Sequence, residues 1–348
     1  MSSSSTSLPS TFQAWRVDPV QVEGKTTYVG REQTMETAPA AAAASNDKVW
    51  MHVTHSSLNY KDALSAAGNK GVTRNFPHTP GIDAAGTLLD GTSSSALVTG
   101  YDLGMNTDGG FGQYICVPPE WIVSPNPFES ARVAMIYGTA GLTAGLCVEK
   151  LLQAGKAQPG DGPVLVTGST GNVGSVAVEI LAKLGFEVVA VTGKIDTHQD
   201  WLKDLGASKV VDRDVLKANP KPLLKPEYAH AIDTVGGSPL VELLKQIQPG
   251  GSVSCCGLVA GAQLETTVLP FILRGVNLLG VDSVEIPLEE KKKIWGKLAT
   301  SWRCPTTEAS AKDIGRHELD SHLKACLKGL SSGKIVLDHS ISPSSSNL

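Results

Sequence analysis

The sequence predicts an α/β protein of two domains, a strand-rich and partly open β-barrel followed by a doubly wound parallel sheet. Three observations predict it. Val164 to Thr167 is a short apolar run, bounded upstream by Pro159-Gly-Asp-Gly-Pro163, that passes through Gly168, Gly171 and Gly174 into residues with helical spacing. From 164 to 283 strand-like and helix-like segments alternate, as they do in a parallel sheet covered on both faces. Residues 11–130 instead carry short strand-prone pieces punctuated by Gly and Pro. A chain of 348 residues is long enough for both domains.

Taken in order, residues 1–10 are Ser-rich, with neither a basic nor an apolar segment, and read as a disordered tail rather than a secretory leader. Residues 11–36 contain the β-prone pieces Phe12-Gln-Ala-Trp-Arg-Val17 and Thr26-Thr-Tyr-Val29. Ala38 to Asn46 is an Ala/Pro-rich connector without assigned secondary structure. Val49 to Ser57 alternates with period two, as a half-buried strand does, and leads into a helix start at Leu58-Asn-Tyr-Lys-Asp-Ala-Leu64. Thr87-Leu-Leu89 is strand-like, and Gly109 to Pro118 is a turn followed by a strand. Gly138 to Leu152 is a helix of small residues suited to close packing.

Beyond the glycine turn, Val173, Ala177, Ile180, Leu181 and Leu184 form the apolar face of a helix. The strand Glu187-Val-Val-Ala-Val191 completes a βαβ unit of the Rossmann type. His198 to Leu205 is a helix, and a third strand lies within Gly206 to Arg213. A strand and turn at Ala229–Gly237, a helix at Leu240–Gln248, and strands at Gly251–Leu258 and Leu278–Ser283 follow. Leu288–Trp302 and His317–Leu330 read as helices, and Gly333–His339 as a last strand returning to the first domain. The expected division is 11–137 with 285–348 against 138–284.

Composition excludes several classes. A net charge of −4 and a pI near 6.1 leave no electrostatic footprint for nucleic acid. No uninterrupted apolar stretch reaches the roughly 18 to 20 residues that span a bilayer. Six cysteines occur without a C-x-x-C pair, so reduced thiols in the cytoplasm are expected, with Cys255-Cys256 as buried strand residues. The terminal Ser346-Asn347-Leu348 echoes the peroxisomal Ser-Lys-Leu address but lacks its basic middle residue.

A strand that runs through glycines into a helix brings backbone N–H groups to a diphosphate with no Cβ in the way. Thr170, Gly171, Asn172 and Val173 are the residues so placed. Recognition of a ribose 2′-hydroxyl uses a carboxylate at the end of the second strand. Here Thr192-Gly193-Lys194 stands there, with no carboxylate before Asp196, and Arg213 after the third strand can reach the same pocket. A hydroxyl, a close backbone and two cations suit a 2′-phosphate, so the expected cofactor is NADPH rather than NADH.

The segments Ser57-Leu-Asn-Tyr-Lys-Asp62, Arg74-Asn-Phe-Pro77, Pro80-Gly-Ile-Asp83 and Gly138-Thr-Ala-Gly141 occur in that order, followed by the glycine turn. After it come Ala231-Ile-Asp-Thr-Val-Gly236, Pro270-Phe-Ile-Leu-Arg274 and Gly280-Val-Asp-Ser283. From about residue 48 to 284 this resembles the medium-chain dehydrogenase/reductase superfamily, and within it the zinc-independent quinone oxidoreductase group that includes bacterial acrylyl-CoA reductase. Between Leu88 and Tyr101 the chain is shorter than that group's usual text. The resemblance implies a GroES-like catalytic barrel, and it places Asn59 and Tyr60 beside the nicotinamide. It also implies that Leu258, Val281, Ser283 and Lys334 approach the cofactor. Zinc alcohol dehydrogenases of the superfamily place His-Glu where Ile82-Asp83 stand here, and no set of ligands for tetrahedral zinc can be assembled, so no metal is expected.

A metal-free site suits an activated alkene better than an alcohol. The expected reaction is hydride transfer to a conjugated C=C bond of an enoyl thioester or enone, or to a quinone, with Tyr60 or solvent giving the proton. The alternative is a non-catalytic NADPH-binding protein, a redox sensor or crystallin-like accessory. Lys61 and Asp62 read as a solvated pair, and His55 as a satisfied strand residue. The apolar edge Asn277–Ser283 needs a partner, and relatives pair it across a two-fold axis, so a homodimer is expected.

Overall fold

The β-prone pieces near the N-terminus lengthen into β1 (Thr11–Val22) and β2 (Lys25–Glu36), an antiparallel ribbon closed by Glu23-Gly24. Both turn residues have positive φ, 49° and 76°, which matches the twist of the flanking strands. β3 (Val49–Ser57), β4 (Asp83–Leu88), β5 (Ser95–Thr99), β6 (Tyr114–Val117) and β7 (Ile122–Val123) follow. The period-two pattern of β3 points Met51 and Val53 into a core with Ala84, Val98, Leu103 and Ile115.

The second sheet contains β8 (Val164–Val166), β9 (Val188–Thr192), β10 (Lys209–Asp212), β11 (Tyr228–Asp233), β12 (Ile247–Cys255) and β13 (Asn277–Gly280). All its pairings are parallel, in the order β10-β9-β8-β11-β12-β13. That is the Rossmann order, with its reversal of direction at the glycine-led strand β8. The helix expected at Leu240–Gln248 covers Gly237–Leu244, because Ile247 already pairs with Tyr228 and opens β12. Leu165, Val189, Ala231, Leu243 and Val253 are buried in this core; a fully buried Leu or Val contributes about 1.5 to 3 kcal/mol.

After these strands β14 (Lys312–Ile314) and β15 (Ile335–Asp338) return to the first sheet, whose order is β14-β15-β3-β4-β5-β7 with β6 on β3. The computed structural model describes residues 8–37 and 47–343. The chain divides into one unit ending at Thr139 and resuming at Val284–Lys293 and from Ala311, and a second of Ala140–Ser283 with Ile294–Ser310. Ile294–Ser310 thus departs from the expected division. Ile294, Trp295, Leu298 and Trp302 are buried, and a Cβ at Gly145 would lie 2.6 Å from Ile294 Cγ2. Glu179, on the helix after the glycine turn, accepts hydrogen bonds from Thr306 N–H (2.8 Å), Thr307 N–H (2.9 Å) and Thr307 Oγ1 (2.7 Å). It caps the helix Pro305–Ala309, a tie that no local pattern announces.

The helix expected from Gly138 begins at Ala131 and runs to Gln153, interrupted at Gly138 (φ 49°, ψ −162°). It is long and apolar enough to cross a membrane by composition, but 83% of its apolar window is buried inside the protein, so it is a core helix. Residues 38–46, the first seven residues and Ser346-Asn347-Leu348 lie outside the described residues. Ser10, at the end of the expected tail, is tied down by Thr37 N–H donating to its carbonyl (3.0 Å).

Candidate functional site

In the second unit the expected cofactor residues gather at the carboxyl ends of the parallel strands, where open α/β sheets bind ligands. The turn after β8 is closed by Gly171 N–H donating to Gly168 O (2.9 Å), and Gly168 has φ +59°. A Cβ on Gly174 would sit 2.4 Å from Gly168 O, and one on Gly168 would sit 2.4 Å from Thr234 Oγ1. These positions admit only glycine, and the tight turn leads directly into the helix Asn172–Lys183, whose N-cap is Gly171. Asp233, fully buried, holds the turn from behind. It accepts from Thr167 Oγ1 (2.9 Å) and Gly236 N–H (2.8 Å), and burial holds its pKa above the usual carboxylate range.

Beside that turn Thr170 Oγ1 lies 3.3 Å from Thr192 Oγ1, which accepts from Lys194 N–H (3.0 Å). Strand register pairs Asp212 with Thr192, so Arg213 is delivered alongside Gly193. A Cβ at Gly193 would lie 3.1 Å from Arg213 Cδ and Nε. Gly193 and Arg213 are both exposed. An open glycine backed by a guanidinium, next to Lys194 and with no carboxylate at the strand end, fits a phosphorylated ribose. Val281 continues the ladder by donating its N–H to Cys255 O (3.0 Å). Ser283 Oγ accepts from Thr143 Oγ1 (2.8 Å), and Leu258 is exposed.

In the first unit Asn59 and Tyr60 open the helix Tyr60–Ala66, Asn59 as its N-cap. Asn59 is buried, and its amide donates to Asp83 Oδ2 (2.8 Å) and Ser57 Oγ (3.0 Å). Its side chain is therefore committed to holding Asp83, a positioning task. Asp83 is itself fully buried and also accepts from Ser57 Oγ, Thr139 N–H (2.8 Å) and Thr139 Oγ1 (2.5 Å). Gly138 is the glycine this hub requires, since a Cβ there would lie 2.6 Å from Asp83 Oδ2. Tyr60 is half-buried at the head of the helix. Lys334 is brought beside this turn because Leu58 N–H donates to Ile335 O (3.1 Å), but its ammonium is buried, 3.4 Å from Tyr137 O.

Asp62 corrects the expectation of a solvated Lys61–Asp62 pair. It is fully buried and accepts from Asn59 N–H (2.8 Å) and Ile82 N–H (2.9 Å). Burial first, and the charge of Asp83 second, push its pKa up to about 7 against the pull of those N–H donors. Cys255 and Cys256 are half-buried at the end of β12 rather than sealed within it. Their thiols lie against Asp233, Cys255 Sγ at 3.6 Å from Oδ2 and Cys256 Sγ at 3.5 Å from the carbonyl. His55 is satisfied by Thr54 Oγ1 (3.0 Å). The Arg274 of the Pro-Phe-Ile-Leu-Arg motif is structural, donating to the carbonyls of Leu224, Lys245 and Ile247.

The glycine cradle at the reversal point of a six-stranded parallel sheet, carried in one chain with a mixed barrel-type sheet, defines a two-domain dinucleotide-binding oxidoreductase. The family described as zinc-binding dehydrogenase matches residues 172–299. The acrylyl-CoA reductase AcuI of Ruegeria pomeroyi is 39% identical over 334 residues, covering 94% of this chain and 99% of the relative. The crystal structure of Escherichia coli YhdH with bound NADPH aligns with a TM-score of 0.85 at 41% identity, over 93% of this chain and 99% of that one. Bacillus subtilis YhfP with NAD bound aligns with a TM-score of 0.87 at 36% identity, over 95% of this chain and 100% of that one. The chain belongs to the medium-chain dehydrogenase/reductase superfamily, among relatives named acrylyl-CoA reductase and quinone oxidoreductase.

Proposed function

We propose that this chain is an NADPH-dependent reductase of conjugated C=C bonds, acting on an acrylyl-CoA-like enoyl thioester or an enone, with quinones as the related alternative. The observation that carries it is the end of β9, where Gly193, Lys194 and Arg213 present cations and open backbone in a chain 39% identical to an acrylyl-CoA reductase. NADPH, when bound, supplies the hydride. When it is bound, Gly171–Val173 would hold its phosphates, Thr192–Lys194 and Arg213 its 2′-phosphate, and Leu258, Val281 and Ser283 would meet its nicotinamide end. As hydride adds to the β-carbon, the C=C π pair shifts to the bond between the α-carbon and the carbonyl carbon and the carbonyl π pair moves onto oxygen; protonation of this enolate at the α-carbon restores the carbonyl. Tyr60 is the proposed hydrogen-bond and proton donor, since a phenol keeps its proton at neutral pH.

Steady-state oxidation of NADPH against acrylyl-CoA, crotonyl-CoA, enones and quinones tests the reading. Turnover on the thioesters is expected; tight NADPH binding with turnover on none of them would establish a non-catalytic binding protein instead. The same reading is metal-free. The side chain of Ile82 has no metal-ligating atom, and the oxygens of Asp83 are taken by Ser57, Asn59 and Thr139. Activity is therefore expected to survive exhaustive chelation; one zinc per chain, with activity lost on its removal, would contradict it.

A homodimer belongs to this reading, with β13 as the paired edge. β13 ends its sheet, and the preceding helix Leu269–Arg274 exposes Ile272 and Leu273, 68% and 64%, beside Val268 at 63%. Light scattering at micromolar concentration is expected to give twice the chain mass, and a monomer there would rule the dimer out. A cytoplasmic setting, which keeps thiols reduced, completes the proposal; no disulfide joins any of the six cysteines.

A further inference from the structure

The turn that carries Tyr60 is closed by a circuit of hydrogen bonds. Asn59 N–H donates to Asp62 Oδ2 (2.8 Å), and Ile82 N–H donates to Asp62 Oδ1 (2.9 Å). The next residue, Asp83, accepts from Asn59 Nδ2 (2.8 Å), which returns the circuit to its start. Two segments distant in sequence, 59–62 and 82–83, are thereby locked together with Tyr60 inside the circuit. Asp83 extends the lock to Thr139.

Asp62 is fully buried and forms no salt bridge among the described residues. The charge facing it is the carboxylate of Asp83 on β4. The helix Leu319–Leu327, packed on the Tyr60 helix, brings Asp320 and Lys324, which pair with each other at the surface (2.7 Å), and His322, 3.5 Å from Lys312 Nζ. β2 brings Glu32, paired with Arg316 (3.3 Å). A buried carboxylate beside another carboxylate is expensive. What it supplies is two acceptor oxygens on one short side chain, one for each N–H; a protonated acid or an amide turns one of these into a donor.

We propose that Asp62, through its ionised carboxylate, is the positioning residue that holds Tyr60 in place for the reaction. The proposal rests on the reading of Tyr60 as the group that meets the substrate. Protonation, or replacement by Asn, opens one of the two clamps and leaves the helix start free to shift, and displacement of a reacting group by about 1 Å can cost about 10²-fold in rate.

The test uses the NADPH-loaded enzyme with acrylyl-CoA. Asp62→Asn is expected to lower kcat by about 10- to 100-fold with NADPH affinity changed less than about threefold. Wild-type kcat is expected to rise with pH through about 7, the value to which Asp62 is pushed, and the Asp62→Asn variant to lose that limb. A variant with wild-type kcat and an unaltered pH profile, its melting temperature alone reduced, would overturn the proposal. Should Asp62→Asn fail to fold, amide hydrogen exchange of the wild type decides. Peptides containing Asn59 and Ile82, corrected for intrinsic rates, should lose protection one unit below pH 7 relative to one unit above it, and equal protection overturns the proposal. Tyr60→Phe separates the two ideas: full activity there would defeat the role of Tyr60, and the exchange result would still show whether Asp62 clamps the turn.

Discussion

Tyr60→Phe is expected to lower turnover on an unsaturated thioester by about 10²- to 10⁴-fold, the range for a lost general acid, with NADPH affinity nearly unchanged. The ring and its half-buried place at the head of the helix are kept, and the Asn59–Asp62–Ile82 circuit does not use the hydroxyl. Only the hydroxyl proposed to meet the developing enolate is removed. Quinone reduction should suffer less, because a hydroquinone anion is a far weaker base than an enolate and needs little help from an acid. A loss below about tenfold on the thioester would assign the proton to solvent and leave Tyr60 as a wall of the cofactor site.

Lys194→Ala is expected to weaken NADPH by about 10- to 100-fold while NADH changes little, since a charge-assisted contact to phosphate is worth about 1.5 to 3 kcal/mol. Arg213, expected from the sequence in the same pocket, belongs to this prediction. Register puts its side chain against the open face of Gly193, so Arg213→Ala should act in the same direction, and the double variant should narrow the preference further. Both cations are proposed to meet the same phosphate, so their effects need not add. Isothermal titration with both dinucleotides decides the matter. Equal losses for NADPH and NADH would mean that these residues support the adenosine end in general and do not read the 2′-phosphate.

The βαβ unit was legible because its information is local. An apolar run, three glycines at fixed spacing and a helical stripe lie within about twenty consecutive residues, and each is dictated by backbone sterics or by burial of one face. The pairing of Arg213 with the Thr192–Lys194 turn was legible for a related reason, since parallel strands of similar length end level and deliver their following residues to the same rim.

What the sequence could not show depends on contacts between distant segments. Asp62 beside Lys61 has the look of a surface pair. The decision to bury it is made by Ile82 N–H, twenty positions away, which needs an acceptor where β4 begins. Asn59 was expected beside the nicotinamide, and only the fold shows that its amide is bonded to Asp83. Gly138 looked like one small residue in a helix, yet it interrupts that helix with φ 49°, and a Cβ there would strike Ser57 and Asp83. Ile294–Ser310 joins the second unit because Glu179 offers both carboxylate oxygens to the Thr306–Thr307 backbone and side chain. The sequence by itself determined the cofactor fold, whose pattern is written in neighbouring residues. The tertiary structure alone decided which charges are buried and which turns they hold, because a buried carboxylate is stable only where donors from separate segments converge on it.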